Sequence, residues 1–351
     1  MARVRTNDLD YLTARLHARR SRMAEGARLD PLCRIPSVPE FCHALFPGAE
    51  MPVADAQRRL VLDLIRELSA CLAHVDAEGN ALVGWMLVRF QVENAKVLLR
   101  GFLNHSPWEA LQPHLVSLPP ELELDAPALA RVESIEEFIG HLPAGAPRSR
   151  LGQAASRQRN DLRPFFLEAA LDSGYLHELL ARAERIGGEK GQVIQALVFQ
   201  EAGMFQLMLG VRGRFHYGLP ADALQSLSVI GAGRSDQWFR ALLAAPDVLA
   251  AARCALGHAL DELPPERKTG GPATANPASV ETLAWNRLLR LANHAFRRSH
   301  VGLGAVAGYV GLRRVEVANL ITISEGIRAG LDAEKLRARL IPRTALEGPD
   351  V

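Results

Sequence analysis

A chain of 351 residues with 48% apolar side chains is long enough for two or three ordinary domains, or for one large repeating unit, and can bury a substantial core. Its 41 basic and 39 acidic residues nearly cancel, leaving +2, which argues against a dedicated nucleic-acid binder with its pronounced basic excess. The four cysteines (Cys33, Cys42, Cys71 and Cys254) form no CxxC pair and show no ligand spacing, so they read as small buried thiols of a reducing compartment.

In chain order, the first dozen residues lack the apolar core of a secretory signal. Leu9, Leu12, Leu16 and Met23 then follow helical spacing, with Arg15, Arg19, Arg20 and Arg22 largely around that stripe. A second helix is predicted over residues 58–75, ending in a polar segment with a glycine stop. Further helices are predicted over 157–170, 176–186, 192–209, 221–227, 237–243, 248–263 and 280–295, several starting after Asp, Ser or Pro. Between them the Pro/Gly-rich stretches 117–127, 142–149 and 263–279 read as loops. The late apolar run 301–312 has about twelve residues, against roughly 20 for a bilayer span, and reads either as an exposed apolar patch or as a buried helix. No alternating polar and apolar run is bounded by hairpin turns, so the fold class is all-α and the protein is expected to be soluble.

One feature organises this pattern. Residues 91–115 (QVENAKVLLRGFLNHSPWEALQPHL) align without gaps on 316–340 (EVANLITISEGIRAGLDAEKLRARL), 225 positions later. The alignment superposes Asn94 on Asn319, Gly101 on Gly326, Leu111 on Leu336 and Leu115 on Leu340. A weaker copy lies at 200–227, with Met204 or Leu207 in place of the Asn and about three extra residues before its turn. Three copies at intervals of about 110 residues predict three related helical subdomains about a pseudo-threefold axis, with approximate bounds 8–118, 119–235 and 236–342. Each copy reads as a long helix, a turn and a shorter helix. Gly330 suits the residue just past the helix end, and Asp332 suits the cap of the next helix. Asn is a poor helix former, so Asn94 and Asn319 are expected to hydrogen-bond a neighbouring helix or backbone, as packing positions rather than as a reactive site.

These residues resemble a known family. The runs Asn94-x-Lys96-x-x-Leu99-Arg100-Gly101 and Tyr309…Glu316-x-x-Asn319-Leu320…Gly326-x-x-x-Gly330 are similar to the C-type subunits of A/V-type rotary ATPases, whose eukaryotic relatives are the d-type subunits of the V-type ATPase. Tyr11-x-x-x-Arg15-Leu16 resembles the family's first helix, and the stretch from Val211 to Pro220 its middle repeat. The resemblance spans roughly Asp8 to Pro342 and is most specific from Tyr309 to Leu340. Two positions depart from the pattern. Ile321 stands where such repeats carry a basic residue, and Glu325 stands where the first copy has Arg100. The resemblance implies a funnel of three similar subdomains on the cytoplasmic face of the membrane, peripheral to it. It further implies a seat for the D and F axle subunits and contact with the proteolipid c-ring. It implies a non-catalytic coupling role without cofactor, in a machine that moves protons or sodium ions. The alternative from another class is a free-standing α-helical repeat scaffold that binds a protein or nucleic-acid partner.

Catalytic chemistry finds no support. No phosphate-binding loop, nucleophile elbow or HExxH occurs; residues 267–271 lack the upstream glycine, and 231–233 are too short for a dinucleotide fingerprint. The eleven histidines are scattered, and Glu136 and Glu137 diverge on a helix. Eight arginines are the candidate partner contacts: Arg15, Arg19, Arg20 and Arg22 on the first helix, and Arg297, Arg298, Arg313 and Arg314 flanking the late apolar run.

Overall fold

In a computed structural model, the described residues are 6–158, 162–229, 234–257, 277–299 and 302–341, and they are all-α, with 17 α-helices and no strand. The predicted loop 263–279, the end of the predicted helix 248–263, the 231–233 glycine pair and the 267–271 stretch lie wholly or largely outside the described residues.

The first helices are α1 (Thr6–Arg20), α2 (Leu29–Cys33), α3 (Val38–Leu45) and α4 (Val53–Leu72). Leu12 and Leu16 are buried on α1, whereas Met23 is buried in the turn beyond the helix end. Helix α3 starts with a serine cap: the Glu40 amide donates to Ser37 Oγ at 3.4 Å, and that hydroxyl donates to the Glu40 carboxylate at 2.9 Å. Helix α4 buries Leu60, Leu64, Ile65, Leu68 and Cys71, a stripe of period three to four. It starts five residues before the predicted position, because Pro52 supplies the extended residue that precedes a helix.

Next come α5 (Ala77–Leu103), α6 (Trp108–Leu111), α7 (Ala126–Leu129), α8 (Ile135–His141), α9 (Ala146–Arg157) and α10 (Pro164–Arg185). Two expectations are corrected here. The single helix predicted over 157–170 is two helices, α9 ending at Arg157 and α10 beginning at Pro164. Pro164 has no amide hydrogen and cannot sit inside a helix, so it can only open one. The predicted loop 142–149 is half helix, since Pro147 occupies the first turn of α9 rather than breaking it. The remaining helices are α11 (Gly188–Phe215), α12 (Ala221–Gln225), α13 (Arg234–Ala244), α14 (Val248–Leu256), α15 (Pro277–Arg298), α16 (Leu303–Arg328) and α17 (Ala333–Arg337).

The chain forms two compact units whose boundaries fall inside α5, α11 and α15 and at the end of α10. One unit comprises Met1–Val83, Ile186–Leu197 and Ala284–Val351. Its centre is α16, on which residues from Gly304 to Arg313 are buried, and it packs against α1 and α4. Gly308 lets α16 meet α15 backbone to backbone: a Cβ there would lie 2.5 Å from the Phe296 nitrogen. The other unit comprises Gly84–Arg185 and Val198–Leu283. There α10 packs on α9 and buries Phe166, Leu167, Tyr175 and Leu176, while the Trp85 indole donates to the Tyr175 carbonyl at 2.9 Å. Each large apolar side chain so buried contributes about 1.5–3 kcal/mol.

Residues Gly191–Phe215 of α11 are long and apolar enough by composition to cross a membrane. The same stretch carries the fully buried Gln206 and the half-buried Glu201.

Candidate functional site

The same helix–turn–helix closure recurs three times, and its parts can be followed residue by residue. In α5, Asn94 donates through Nδ2 to the Val116 carbonyl at 2.7 Å and accepts from the Val116 amide at 2.9 Å. In α16, Asn319 does the same with Ile341, donating at 3.3 Å and accepting at 2.9 Å. Both amides reach 22 residues ahead, clamping the extended segment that follows the short helix. In the middle copy Gln206 accepts from the Val229 amide at 3.4 Å, 23 residues ahead. Gln206 therefore holds the Asn position, and neither Met204 nor Leu207 does. One residue is inserted, not three.

Seven residues past each amide stands a glycine: Gly101, Gly213 and Gly326. A Cβ at these positions would lie 2.4, 2.5 and 2.1 Å from Leu111, Leu224 and Leu336, each on the following short helix (α6, α12, α17). The leucine of the short helix is thus seated on bare backbone. Each turn then passes through a left-handed residue, His105 (φ 51°), Gly218 (φ 64°) or Gly330 (φ 70°). The next amide (Ser106, Leu219 or Leu331) donates back to the glycine carbonyl at 2.8, 2.8 and 2.9 Å. In the outer copies the left-handed residue also bonds the carbonyl after the glycine, which completes a Schellman motif. Asp332 caps α17 by accepting from the Lys335 amide at 2.8 Å. The inserted residue of the middle copy lies between Gly213 and Gly218, in the turn itself.

Two polar networks stiffen the helices that carry these closures. In the first unit Tyr309 donates to Glu67 at 2.8 Å, and Arg313 meets Glu67 at 3.0 Å and also pairs with Glu316. The second oxygen of Glu316 accepts from the Ala24 amide at 2.5 Å. Burial pushes the Glu316 carboxyl up despite Arg313, and burial with the nearby Glu67 charge raises the Tyr309 hydroxyl. In the other unit Lys96 is buried and pairs with Asp172 at 2.6 Å and Glu93 at 3.2 Å. Arg89 pairs with Glu93 at 3.0 Å and lies 3.7 Å from Glu201. Burial drives the Asp172 carboxyl above the ordinary range against the pull of Lys96 and Arg89. At Glu93 the burial effect is outweighed by those same two cations, which hold it below the ordinary range. Sequence alone does not single out Glu67, Glu93, Lys96 or Asp172 as site residues. The one local signal is Lys96 itself, a charge on the core side of an otherwise apolar helical turn.

Arg100 forms a two-pronged pair with Glu168 at 2.5 and 2.6 Å, while Glu325 at the equivalent place accepts from Gln57 at 2.7 Å and pairs with Arg328. The departure between the copies is thus a change of partner, with the closure kept. Of the eight arginines, Arg313 turns inward and is buried, a correction to its expected place at a partner surface, because Glu67 and Glu316 neutralise it inside the unit. Arg19 also faces Glu67, at 3.8 Å. Arg314 lies 6.0 Å over the Trp285 ring. Arg15 is half-buried, and Arg22 and Arg298 are exposed. Arg20 and Arg297 are brought together: both line a cavity of about 190 Å³ beside Asn293, Glu316 and Asn319, and both line an adjoining cleft of about 570 Å³. Among the described residues no cluster of three His, Cys, Asp or Glu side chains could hold a metal ion.

Compared with known proteins, the chain matches the family model of the ATP synthase (C/AC39) subunit over residues 12–339. Among the curated proteins no match is found.

Proposed function

The chain belongs to the ATP synthase (C/AC39) subunit family, and from that premise we propose that it is the central-stalk connector of a V/A-type rotary ATPase. In this reading it seats the D and F axle subunits and bears on the proteolipid c-ring from the cytoplasmic face of the membrane. It makes no bond and breaks none; it transmits torque. The observation that carries the reading is the family match over residues 12–339. The thrice-repeated closure at Asn94, Gln206 and Asn319 supports it, because a coupling part needs several stiff, similar helical modules. The three-subdomain organisation, with bounds near 8–118, 119–235 and 236–342, is part of the same proposal.

The test is affinity purification of the tagged chain from native membranes. The proposal expects the axle subunits and the proteolipid to be recovered together. Deletion of the chain should leave nucleotide binding by the catalytic head intact while abolishing ion transport coupled to hydrolysis. Recovery of none of these subunits, or a membrane whose coupled transport survives the deletion, overturns it. A free-standing scaffold would give the first of those results.

A further inference from the structure

The cleft of about 570 Å³ is walled by the ends of two helices and the segment after the first. His17 and Arg20 come from the last turn of α1, Ser21 and Arg28 from the chain that follows, and Phe296 and Arg297 from the last turn of α15. Three guanidinium groups and one imidazole therefore face a space in which Glu25 is the only carboxylate of the lining. Helix C-termini attract cations, which accounts for Arg20 and Arg297. It does not account for Arg28, which belongs to neither helix.

Two of the guanidinium groups are fixed by the protein itself. Arg20 donates to Asn293 Oδ1 at 2.5 Å, lies 3.6 Å from Glu25, and stacks 4.8 Å over the Phe296 ring. Arg28 donates to the Met23 carbonyl at 3.2 Å and to the Ser21 carbonyl. Holding an arginine by its own backbone leaves its charge in place and removes part of the entropy that a ligand would otherwise have to overcome. The walls are not uniformly polar: the exposed Ala27 supplies apolar surface beside the charges.

We propose that this cleft binds a multiply charged phosphate group carried on a small organic body. The planar fork of arginine matches phosphate oxygens two at a time, and the cleft is far larger than one carboxylate requires. A dianion also competes for Arg20 against the single charge of Glu25. The body can be a soluble phosphate ester or the headgroup of an anionic lipid, and both present the same chemistry. The inference concerns these residues alone and stands whether or not the chain is a torque-transmitting connector.

The experiment uses the full chain with two probes. Calorimetric titration with inorganic pyrophosphate tests the free anion. Co-sedimentation with phosphatidylcholine vesicles, with and without a phosphoinositide, tests the headgroup. The expected result is binding to one or both that weakens roughly tenfold or more in Arg28→Ala/Arg297→Ala, as loss of charge-assisted hydrogen bonds requires. Arg28→Ala also gives up its bonds to the Ser21 and Met23 carbonyls, so the melt is measured alongside and the single variant Arg297→Ala, at an exposed residue outside that turn, is titrated as well; it should weaken binding in the same direction. Arg66→Ala, which removes an exposed arginine of α4, should leave binding unchanged. Pyrophosphate binding identifies a soluble source, and binding to phosphoinositide vesicles alone identifies a lipid one. No binding to either probe overturns the proposal, as does binding that the double variant keeps or that Arg66→Ala weakens equally.

Discussion

Replacing Asn94 by alanine removes both bonds to Val116, at 2.7 and 2.9 Å, and frees an amide and a carbonyl beside a buried helix. Each such bond contributes about 1 kcal/mol net, and Val116 is half-buried, so its freed amide and carbonyl regain water without a further penalty. Alanine recovers about 0.5 kcal/mol through its better helix propensity. The remainder is a local destabilisation of about 1–2 kcal/mol, which corresponds to a factor of roughly 5–30 in the opening equilibrium. Native-state hydrogen exchange reads this directly. The Val116 amide should exchange about 5–30 times faster in Asn94→Ala, and the Ile341 amide should respond alike in Asn319→Ala. Gln206→Ala should move the Val229 amide less, because its one bond to that amide is long, at 3.4 Å. The order matters as much as the size. An unchanged Val116 amide, or a Val229 amide more affected than the other two, would refute the view that these side chains close the repeats.

Four further outcomes follow from the geometry. His105 occupies a left-handed position at φ 51°, so His105→Gly should stabilise the chain by about 0.5–1 kcal/mol, while Gly330→His should do the opposite, both read by thermal unfolding. Gly101→Ala places a Cβ 2.4 Å from buried Leu111 and should destabilise by about 1–3 kcal/mol, despite alanine's better propensity; a gain in Tm would show that the leucine yields freely. Burial pushes the Cys71 thiol up to about 11, and Cys33 and Cys42 are raised and buried as well, so brief alkylation of the native protein near neutral pH should label exposed Cys254 first, as peptide mass spectrometry would show. Asp172 is a carboxyl raised by burial, so its native form holds its proton to higher pH than its unfolded form. Its contribution to stability is then fully present below the unfolded value and is lost as pH rises through the native one; Asp172→Asn should remove that loss, and parallel unfolding curves for the two proteins across this range would contradict the assignment.

The helical class is legible in the sequence because it is a local property: stripes such as Leu60, Leu64 and Leu68 state their period without reference to the rest of the chain. The gapless echo between 91–115 and 316–340 is equally legible, since the two outer copies keep the Asn, the Gly and the Leu at the same spacings. Helix boundaries at prolines are less so. Pro147 and Pro164 each open a helix, yet by composition alone one reads as loop and the other falls inside a continuous helix.

What sequence could not supply was which polar side chains face inward together. Gln206 stands where the repeat calls for an Asn, because its amide oxygen reaches the same backbone hydrogen with a longer side chain, and only a contact reveals that equivalence. Arg313 looks no different in sequence from the adjacent Arg314, and Lys96, though it interrupts an apolar turn, does not say which partners bury it. Their burial depends on Glu67, Glu316, Asp172 and Glu93, which come from up to 246 residues away, and a charge can leave water only where such partners are waiting. Sequence by itself determined the helical class and the reuse of one closing unit in the outer copies, because short-range spacing encodes both. The tertiary structure decided which charges became internal ties and which, like Arg20, Arg28 and Arg297, were gathered around one open cleft, because that depends on distant partners.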